Sequence, residues 1–265
     1  MANLFNIVAA SLRGNNFRVM LGKIVSRFEE DGTQEAVEWA KNNAIQTEKY
    51  CSNIDANIWG EAKQVAAQIE KNSREILEKI PVSLGGGGDY PLIYFLIRSK
   101  KPEIVFETGV AAGWSTETIL QALVKNQKGK LFSSDFPYFR LKNPEQHIGI
   151  LVSEGLKDRW RLDIRGDEVA VPDFVKEIGA SKLDLLHYDS DKSYRGRSFA
   201  MSLVESKFAD DATFVMDDIQ DNLFFRDYVE EKGLNFSVLE FDGKYVGVVE
   251  NIGSQLALGR QGDSS

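Results

Sequence analysis

The stretch VFETGVAAGWST, at residues 105–116, decides how the chain folds. A run of apolar residues ends there at Glu107, and two glycines, Gly109 and Gly113, follow four positions apart. Glycine at the first position allows a tight turn, and at the second it allows a helix to pack closely on its surroundings. The pattern predicts a strand, a turn and a helix. By itself, such a turn is either a plain connection or a cradle for a nucleotide-like ligand.

Strand-like and helix-like segments alternate downstream of this turn. The helix TETILQALVKN comes first, with Ser115 or Thr116 as its predicted N-cap. The segments that follow are strand KLFSSD, helix IGILVSEGL, strand WRLDIRGD, helix VPDFVKEIG, strand LDLLHYD, helix RSFAMSLVESKF, strand ATFVMDD and helix FFRDYVEEKG. This alternation predicts a doubly wound α/β fold, with helices on both faces of a mostly parallel sheet. The segment FSVLEFDGKYVGVVEN predicts a closing hairpin, turned at Asp242-Gly243, and therefore an antiparallel C-terminal strand.

The ends of the chain differ from this central part. Residues 1–80 predict an N-terminal helical extension, from the segments FRVMLGKIVSRF, QEAVEWAKNNAIQTEKY and WGEAKQVAAQIEKNSREILEKI. It is interpreted as a cap, a lid or a homodimer surface on a main domain at residues 81–252. Four glycines at 85–88 predict a loop that is either flexible or pressed against a ligand. Residues 253–265 are predicted to be a disordered tail.

Composition excludes several classes of function. The chain of 265 residues has a formal net charge of -8 and an isoelectric point near 5.0, which argues against a nucleic-acid partner. It has no apolar run of the length that a membrane span needs. Its single cysteine, Cys51, cannot form an intramolecular disulfide, so a cytoplasmic location is expected. One cysteine and two histidines cannot build the usual structural zinc site.

Acidic residues follow every strand of the predicted parallel set. Ligands of such sheets bind where the strands end, so these carboxylates are expected to share one edge of the sheet. They would repel one another unless ligand hydroxyls, amines or a cation lay among them. The acids are Glu107, Asp135, Asp167, Asp189, Asp191, Asp217 and Asp218.

Several of these motifs occur in the order found in a known family. ETGVAAGWST, Asp135, RGD at 165–167, LLHYDSDKSY and VMDD resemble class I S-adenosylmethionine-dependent methyltransferases. The resemblance is to the metal-dependent O-methyltransferase branch, which includes catechol, caffeoyl-coenzyme A and sugar O-methyltransferases. It spans residues 85–250 and implies a Rossmann-like sheet whose last strand is antiparallel.

The resemblance also implies how the cofactor, S-adenosyl-L-methionine, would be held. The turn from Glu107 to Gly113 would hold its methionine part, and Ser115 would touch the carboxylate end. Asp135 would bind the ribose hydroxyls, and the adenine would lie by the next strand end. The implied cofactor-binding residues are Glu107, Gly109, Gly113, Ser115, Asp135, Gly166 and Asp167.

A second set of carboxylates suggests a metal. Asp189, Asp217 and Asp218 end adjacent predicted strands, and an oxygen-only site suits Mg²⁺, Mn²⁺ or Ca²⁺. In the resembling family, the matching positions ligate magnesium, often with asparagine in place of Asp218. The other interpretation is that Asp217-Asp218 caps the next helix. Lys192 follows Asp189 by three residues and is either the catalytic base, with its pKa lowered by a nearby cation, or a surface lysine.

The sequence therefore predicts an S-adenosylmethionine-dependent O-methyltransferase, assisted by a divalent metal, expected to be Mg²⁺. Its acceptor would be the hydroxyl of a small molecule, such as a sugar, a phenolic compound or a secondary metabolite. Alternatives are a metal-independent methyltransferase of the same fold, an NAD(P)-dependent oxidoreductase and a non-catalytic binding module. Ala111 stands where a dinucleotide fingerprint has its middle glycine, which counts against the oxidoreductase.

Overall fold

A computed structural model describes residues 33–80, 84, 86–137 and 143–262. The predicted helix FRVMLGKIVSRF lies outside these residues. The described strands are β1 (Ala44–Gln46), β2 (Ile104–Thr108), β3 (Lys130–Ser134), β4 (Trp160–Asp163), β5 (Leu183–Tyr188), β6 (Phe208–Met216), β7 (Ser237–Phe241) and β8 (Lys244–Val249). The helices are α1 (Thr33–Asn43), α2 (Thr47–Leu77), α3 (Tyr90–Lys100), α4 (Trp114–Asn126), α5 (Asp167–Ile178), α6 (Tyr194–Val204), α7 (Phe224–Glu231) and α8 (Ile252–Gly262). None of these helices has both the length and the apolar character needed to cross a membrane.

The described strands form one sheet in the order β1-β7-β8-β6-β5-β2-β3-β4. Strands β2 to β6 are mutually parallel where they pair, whereas β8 runs antiparallel to both β6 and β7. The strand order reverses between β2 and β5, and this switch point is where open α/β sheets bind their ligands. The predicted fold class is confirmed, including the antiparallel C-terminal strand. At the hairpin turn, Asp242 and Gly243 have φ of 49° and 75°, as a type I′ turn requires.

Helices cover both faces of the sheet because strand residues point alternately to opposite sides. In β2, Val105 packs in the cluster under α2, α3 and α4, and its neighbour Phe106 packs under α5. The central strands β2, β5 and β6 are therefore largely buried on both faces, and their polar ends remain for the site.

One predicted helix is absent. Residues 148–153 instead form turns, and a short 3-10 helix follows at Glu154–Arg159. Gly149 has φ of +66°, and a Cβ there would lie 2.4 Å from the Trp160 ring, so the chain bends sharply against β4. The Gly149 amide donates to the Ala111 carbonyl at 2.9 Å, and Leu151 donates to Ala112 at 3.0 Å. This segment therefore supports the glycine-containing turn after β2.

The described structure differs from the prediction in two outer segments, residues 34–50 and the residues from 253. The predicted helix QEAVEWAKNNAIQTEKY is interrupted by β1, which adds a parallel edge strand beside β7. The tail predicted to be disordered from residue 253 is helix α8 up to Gly262. Ile252 and Leu256 of α8 are buried against the sheet, and this burial stabilises a helix whose sequence pattern alone is weak.

Helix α3 begins at a buried acid. Asp89 is 2% exposed, accepts the Leu92 amide at 3.2 Å, and accepts the Thr47 hydroxyl at 2.6 Å. Burial raises the pKa of Asp89 to about 7, although these two hydrogen bonds oppose the shift. The folded state thus binds the Asp89 proton more tightly than the unfolded state does.

We expect Asp89→Asn to remove a loss of stability that occurs as pH rises. Because the pKa is raised in the folded state, wild-type stability falls between about pH 4 and pH 7, by roughly 2–4 kcal/mol. Asparagine cannot ionise and keeps a donor and an acceptor for Thr47 and Leu92. Urea unfolding at pH 4, 6 and 8 measures this, with the exposed Asp211→Asn as control. Equal declines in wild type and Asp89→Asn would contradict the assignment.

Candidate functional site

The turn between β2 and α4 needs glycine at both predicted positions. Gly109 has φ of +86°, and a Cβ there would lie 2.3 Å from the Asp189 carbonyl oxygen. Gly113 has φ of +99°, and a Cβ there would lie 3.0 Å from Gly149. The turn is consequently pressed between the end of β5 and the segment after β3. Close backbone approach, rather than flexibility, explains these two glycines.

Glu107 lies beneath this turn and is 1% exposed. Its carboxylate accepts the Ser115 hydroxyl at 2.6 Å, the Thr116 hydroxyl at 2.7 Å and the Ser133 hydroxyl at 2.7 Å. The prediction that Ser115 or Thr116 caps α4 is wrong, because Gly113 occupies the N-cap position and both hydroxyls bind Glu107. These hydrogen bonds connect Glu107, at the end of β2, to the first turn of α4 and to β3.

Asp135 follows β3 and binds the turn from its other side. Its carboxylate accepts the Val110 amide at 3.2 Å, the Ala111 amide at 2.7 Å and the Phe136 amide at 2.6 Å. Ala111 has φ of +48°, an uncommon conformation for a residue with a side chain, and the Asp135 carboxylate stabilises it. The predicted ribose-binding acid thus also shapes the predicted methionine-binding turn.

We expect Asp135→Ala to weaken the binding of S-adenosylhomocysteine by about ten- to a hundredfold, since charge-assisted hydrogen bonds are worth about 1.5–3 kcal/mol. The substitution removes the acceptor of two turn amides, those of Val110 and Ala111, and of the neighbouring Phe136 amide. Isothermal titration calorimetry measures the loss, with the exposed Asp211→Ala as control. An affinity equal to that of wild type would show that Asp135 has no part in the cofactor site.

Gly166 and Asp167 lie at the end of β4, beside Asp135. The Gly166 amide donates to the Asp135 carbonyl at 2.9 Å, and Gly166 has φ of +88°. Asp167 accepts the Ser134 hydroxyl at 2.5 Å and the Ser190 hydroxyl at 2.5 Å. Asp167 therefore links the ends of β3 and β5, and the structure places all the predicted cofactor residues around one edge of the sheet.

A second group of side chains, the acid cluster, lies at the ends of β5 and β6 and contains Asp189, Asp217 and Asp218. The Lys192 ammonium forms an ion pair with Asp189 and lies 2.9 Å from an Asp218 carboxylate oxygen. Lys244, from β8, reaches the other Asp218 oxygen at 3.2 Å. Asp218 itself has φ of +50°. Lys192 is thus held between two of the three predicted metal ligands.

The charges in this cluster shift one another. Burial and the Asp217 charge raise the pKa of Asp189 to about 6, although Lys192 opposes the shift. Burial would also raise the pKa of Asp218, but Lys192 and Lys244 lower it to about 2. Burial favours a neutral Lys192, yet the Asp189 and Asp218 carboxylates raise its pKa above the usual value. In this arrangement Lys192 is a cation, and Asp189 is the group that titrates nearest neutral pH.

Asp217 is the third predicted ligand and is 5% exposed. His187 lies between it and Glu107, with Nε2 3.5 Å from Asp217 and Nδ1 3.8 Å from Glu107. Burial alone would lower the pKa of His187, but the Asp217 carboxylate raises it. His187 therefore lies inside the sheet between the acid beneath the β2–α4 turn and the acid at the end of β6, and neither of its ring nitrogens makes a hydrogen bond to a residue that the structure describes.

The carboxylate oxygens of this cluster are the type of ligand that divalent cations such as Mg²⁺ prefer. The cluster contains carboxylates from adjacent strand ends, and these already stabilise a positive charge, the Lys192 ammonium. In the described part of the chain, however, no group of three or more His, Cys, Asp or Glu side chains is arranged to hold a metal ion. A metal would therefore require Lys192 to leave its present position.

Two residues that the sequence did not single out hold the cluster together. Arg197, from α6, is fully buried and donates to the carbonyls of Asp217 at 3.2 Å and Asp218 at 2.9 Å. It also donates to Asn222 at 3.2 Å, and Asn222 donates to the Lys192 carbonyl at 2.6 Å. An arginine on a helix is usually read as surface, so these roles could be found only from the fold.

Comparison with known proteins agrees with this geometry. Residues 106–219, which run from β2 to the loop after β6, match a family model described as a methyltransferase domain. The chain carries a methyltransferase domain. The sequence-based identification as a class I methyltransferase is confirmed, and nothing in the comparisons supports the NAD(P)-dependent oxidoreductase. A search of curated proteins finds no match to the sequence.

Solved structures share the fold of this methyltransferase domain. The O-methyltransferase TomG from Streptomyces achromogenes, in complex with S-adenosylmethionine, is 12% identical, with a TM-score of 0.53 over 70% of this chain and 88% of its own. The S-adenosylhomocysteine-bound methyltransferase PaMTH1 from Podospora anserina is 13% identical, with a TM-score of 0.51 over 72% of this chain and 95% of its own. At such identities, the likeness shows the fold alone.

Proposed function

We propose that the protein transfers a methyl group from S-adenosylmethionine to a hydroxyl of a small molecule. The observation that carries this proposal is the juxtaposition of two sites in a methyltransferase domain. Gly109 of the glycine turn touches the backbone of Asp189, which belongs to the acid cluster. A cofactor on the turn and an acceptor at the acids would therefore meet.

The turn residues are assigned to the cofactor. The β2–α4 turn, fixed by Glu107 from below and by Asp135 from the side, would hold the methionine part. Asp135 would accept ribose hydroxyls, and Gly166 and Asp167 would lie by the adenine. Because these groups are already hydrogen-bonded to one another, the site requires little reorganisation to bind its ligand.

The acid cluster is assigned to the acceptor. In the reaction, the acceptor oxygen forms a bond to the methyl carbon as the bond from carbon to sulfur breaks, and S-adenosylhomocysteine leaves. Alignment of these three atoms supplies much of the rate. Asp189, with a pKa of about 6, can accept the hydroxyl proton, and Lys192 can stabilise the negative charge that develops on the oxygen.

We further propose a divalent metal ion, held by Asp189, Asp217 and Asp218, because their carboxylates suit Mg²⁺. When bound, such an ion would supply Lewis-acid activation of the acceptor hydroxyl. In that arrangement Asp189 would hold the metal and would not accept the proton. Displacement of Lys192 from Asp189 and Asp218 would remove the two contacts that raise its pKa, and Lys192 would take the role of base in place of Asp189.

The test is the release of S-adenosylhomocysteine from S-adenosylmethionine, measured with a panel of catechols, phenolic acids and sugars. The proposal predicts release and a methylated product with at least one acceptor. Activity with magnesium that is lost in excess chelator would support the metal, and equal activity in both would favour the metal-independent alternative. No transfer to any acceptor would contradict the proposed acceptor class.

A further inference from the structure

The glycines before α3, of which Gly86, Gly87 and Gly88 are described, lie near both the β2–α4 turn and the acid cluster. Its neighbours on either side are anchored, since Leu84 and Asp89 are both buried. Leu84 packs with Ala112 of the cofactor turn, and Asp89 is hydrogen-bonded to Thr47. Gly86, Gly87 and Gly88 thus lie close to two buried residues, unlike the glycines of a free linker.

Gly88 is in contact with the acid cluster. A Cβ at Gly88 would lie 2.6 Å from a carboxylate oxygen of Asp217, so a side chain there would require this carboxylate or the loop to move. Gly87 lies against Tyr90 and Trp114, next to the proposed cofactor turn. A Cβ at Gly87 would lie 2.5 Å from the Tyr90 ring and 2.9 Å from Trp114, the first residue of α4. The Tyr90 and Trp114 rings stack with centroids 5.6 Å apart.

Gly86, in contrast, faces open space, with nothing within 4 Å of its Cβ position. Among the described glycines of this segment, Gly87 and Gly88 are therefore the two with close contacts. These two residues span from Trp114, at the end of the cofactor turn, to Asp217, in the acid cluster. An acceptor that is to meet the methyl group must lie between the same two features.

We propose that Gly87 and Gly88 form a wall of the acceptor site, and that their lack of side chains sets the size of the acceptor. The inference rests on the proposed function, because it assumes that the acceptor lies at the acid cluster. The stacked side chains of Tyr90 and Trp114 pack against Gly87. A methyl group added at Gly88 would push on Asp217, and one added at Gly87 would push on the Tyr90 ring.

The variant Gly88→Ala tests this wall against a matched control. Gly88 has φ of +59°, and Gly179 also has φ of +59° but nothing within 4 Å of its Cβ position. Gly179→Ala therefore carries the same backbone strain without the contact. We expect kcat/KM for catechol to fall at least about tenfold in Gly88→Ala relative to Gly179→Ala, since one methyl in a fitted site changes rates by about 10–200-fold. Binding of S-adenosylhomocysteine should stay within about twofold.

Gly87→Ala is the second variant and keeps the test valid where Gly88→Ala fails to fold. Its methyl meets a ring that can move, so we expect KM to rise more for caffeic acid, the larger acceptor, than for catechol. Gly86→Ala should behave as wild type. Equal kcat/KM in Gly88→Ala and Gly179→Ala, or equal KM changes for both acceptors in Gly87→Ala, would overturn the wall.

The same measurements separate this inference from the proposed function. If wild type does not bind S-adenosylhomocysteine, the proposed function itself fails. If wild type binds it but methylates no acceptor of the panel, the acceptor class fails, and the wall with it. If wild type methylates catechol and Gly88→Ala does so equally well, the function stands and the wall alone is overturned.

Discussion

Asp189→Ala is expected to lower methyl transfer by about a thousandfold while the protein still binds S-adenosylhomocysteine, since a positioned acid–base group contributes about 10²–10⁴-fold. The substitution removes the carboxylate that pairs with Lys192 and has a pKa of about 6. The Asp189 backbone, whose amide donates to the Thr108 carbonyl at 2.9 Å, is unchanged, so the cofactor turn should be preserved. Initial rates and calorimetry measure the two effects separately.

The pH profile gives a second readout of Asp189. Its pKa of about 6 means that the carboxylate becomes protonated as pH falls, so wild-type activity should decline below about pH 6. Asp211→Ala, at an exposed acid of β6, is the matched control and should keep full activity and the same profile. Unchanged turnover in Asp189→Ala would remove Asp189 from the mechanism.

Gly109→Ala is expected to produce the second large effect, a loss of both stability and cofactor binding. Its methyl group would lie 2.3 Å from the Asp189 carbonyl oxygen, and the residue would have to keep φ of +86°. Gly109 follows β2 directly and Asp189 follows β5 directly, and because these two strands are paired in the sheet, a shift of either backbone would disturb that pairing. We expect destabilisation of roughly 3–5 kcal/mol and loss of measurable S-adenosylhomocysteine binding.

The control for Gly109→Ala separates backbone strain from steric contact. Gly233 has φ of +60° and nothing within 4 Å of its Cβ position, so Gly233→Ala carries strain alone. Its cost should be about 1–2 kcal/mol, with unchanged ligand binding. Thermal unfolding and calorimetry compare the two variants. If Gly109→Ala behaves like Gly233→Ala, the close approach of the turn to Asp189 is not a constraint on the site.

The sequence predicted the fold well where one local pattern determined one element. Strand-like segments such as IVFET alternate with helix-like segments, and this alternation indicates a parallel sheet covered by helices on both sides. The convergence of Glu107, Asp135 and Asp189 follows from topology, because parallel strands end at the same edge. The carboxylate edge could therefore be predicted without any knowledge of side-chain contacts.

Features that depend on contacts between distant segments could not be predicted. Gly149 bends the chain because it meets Trp160, and helix α8 forms because Ile252 and Leu256 are buried against the sheet. The hydrogen-bond partners of individual side chains could not be predicted from the sequence either. Ser115 satisfies all the sequence criteria for an N-cap, yet its hydroxyl binds Glu107, eight residues earlier in the chain.

We propose that S-adenosylmethionine binds on the β2–α4 turn. Calorimetric titration of S-adenosylhomocysteine into wild type and Asp135→Ala, with magnesium and then with excess chelator, measures this binding. We expect wild type to bind in both conditions and Asp135→Ala to bind more weakly in both. Absence of binding to wild type in either condition would exclude this turn as the cofactor site.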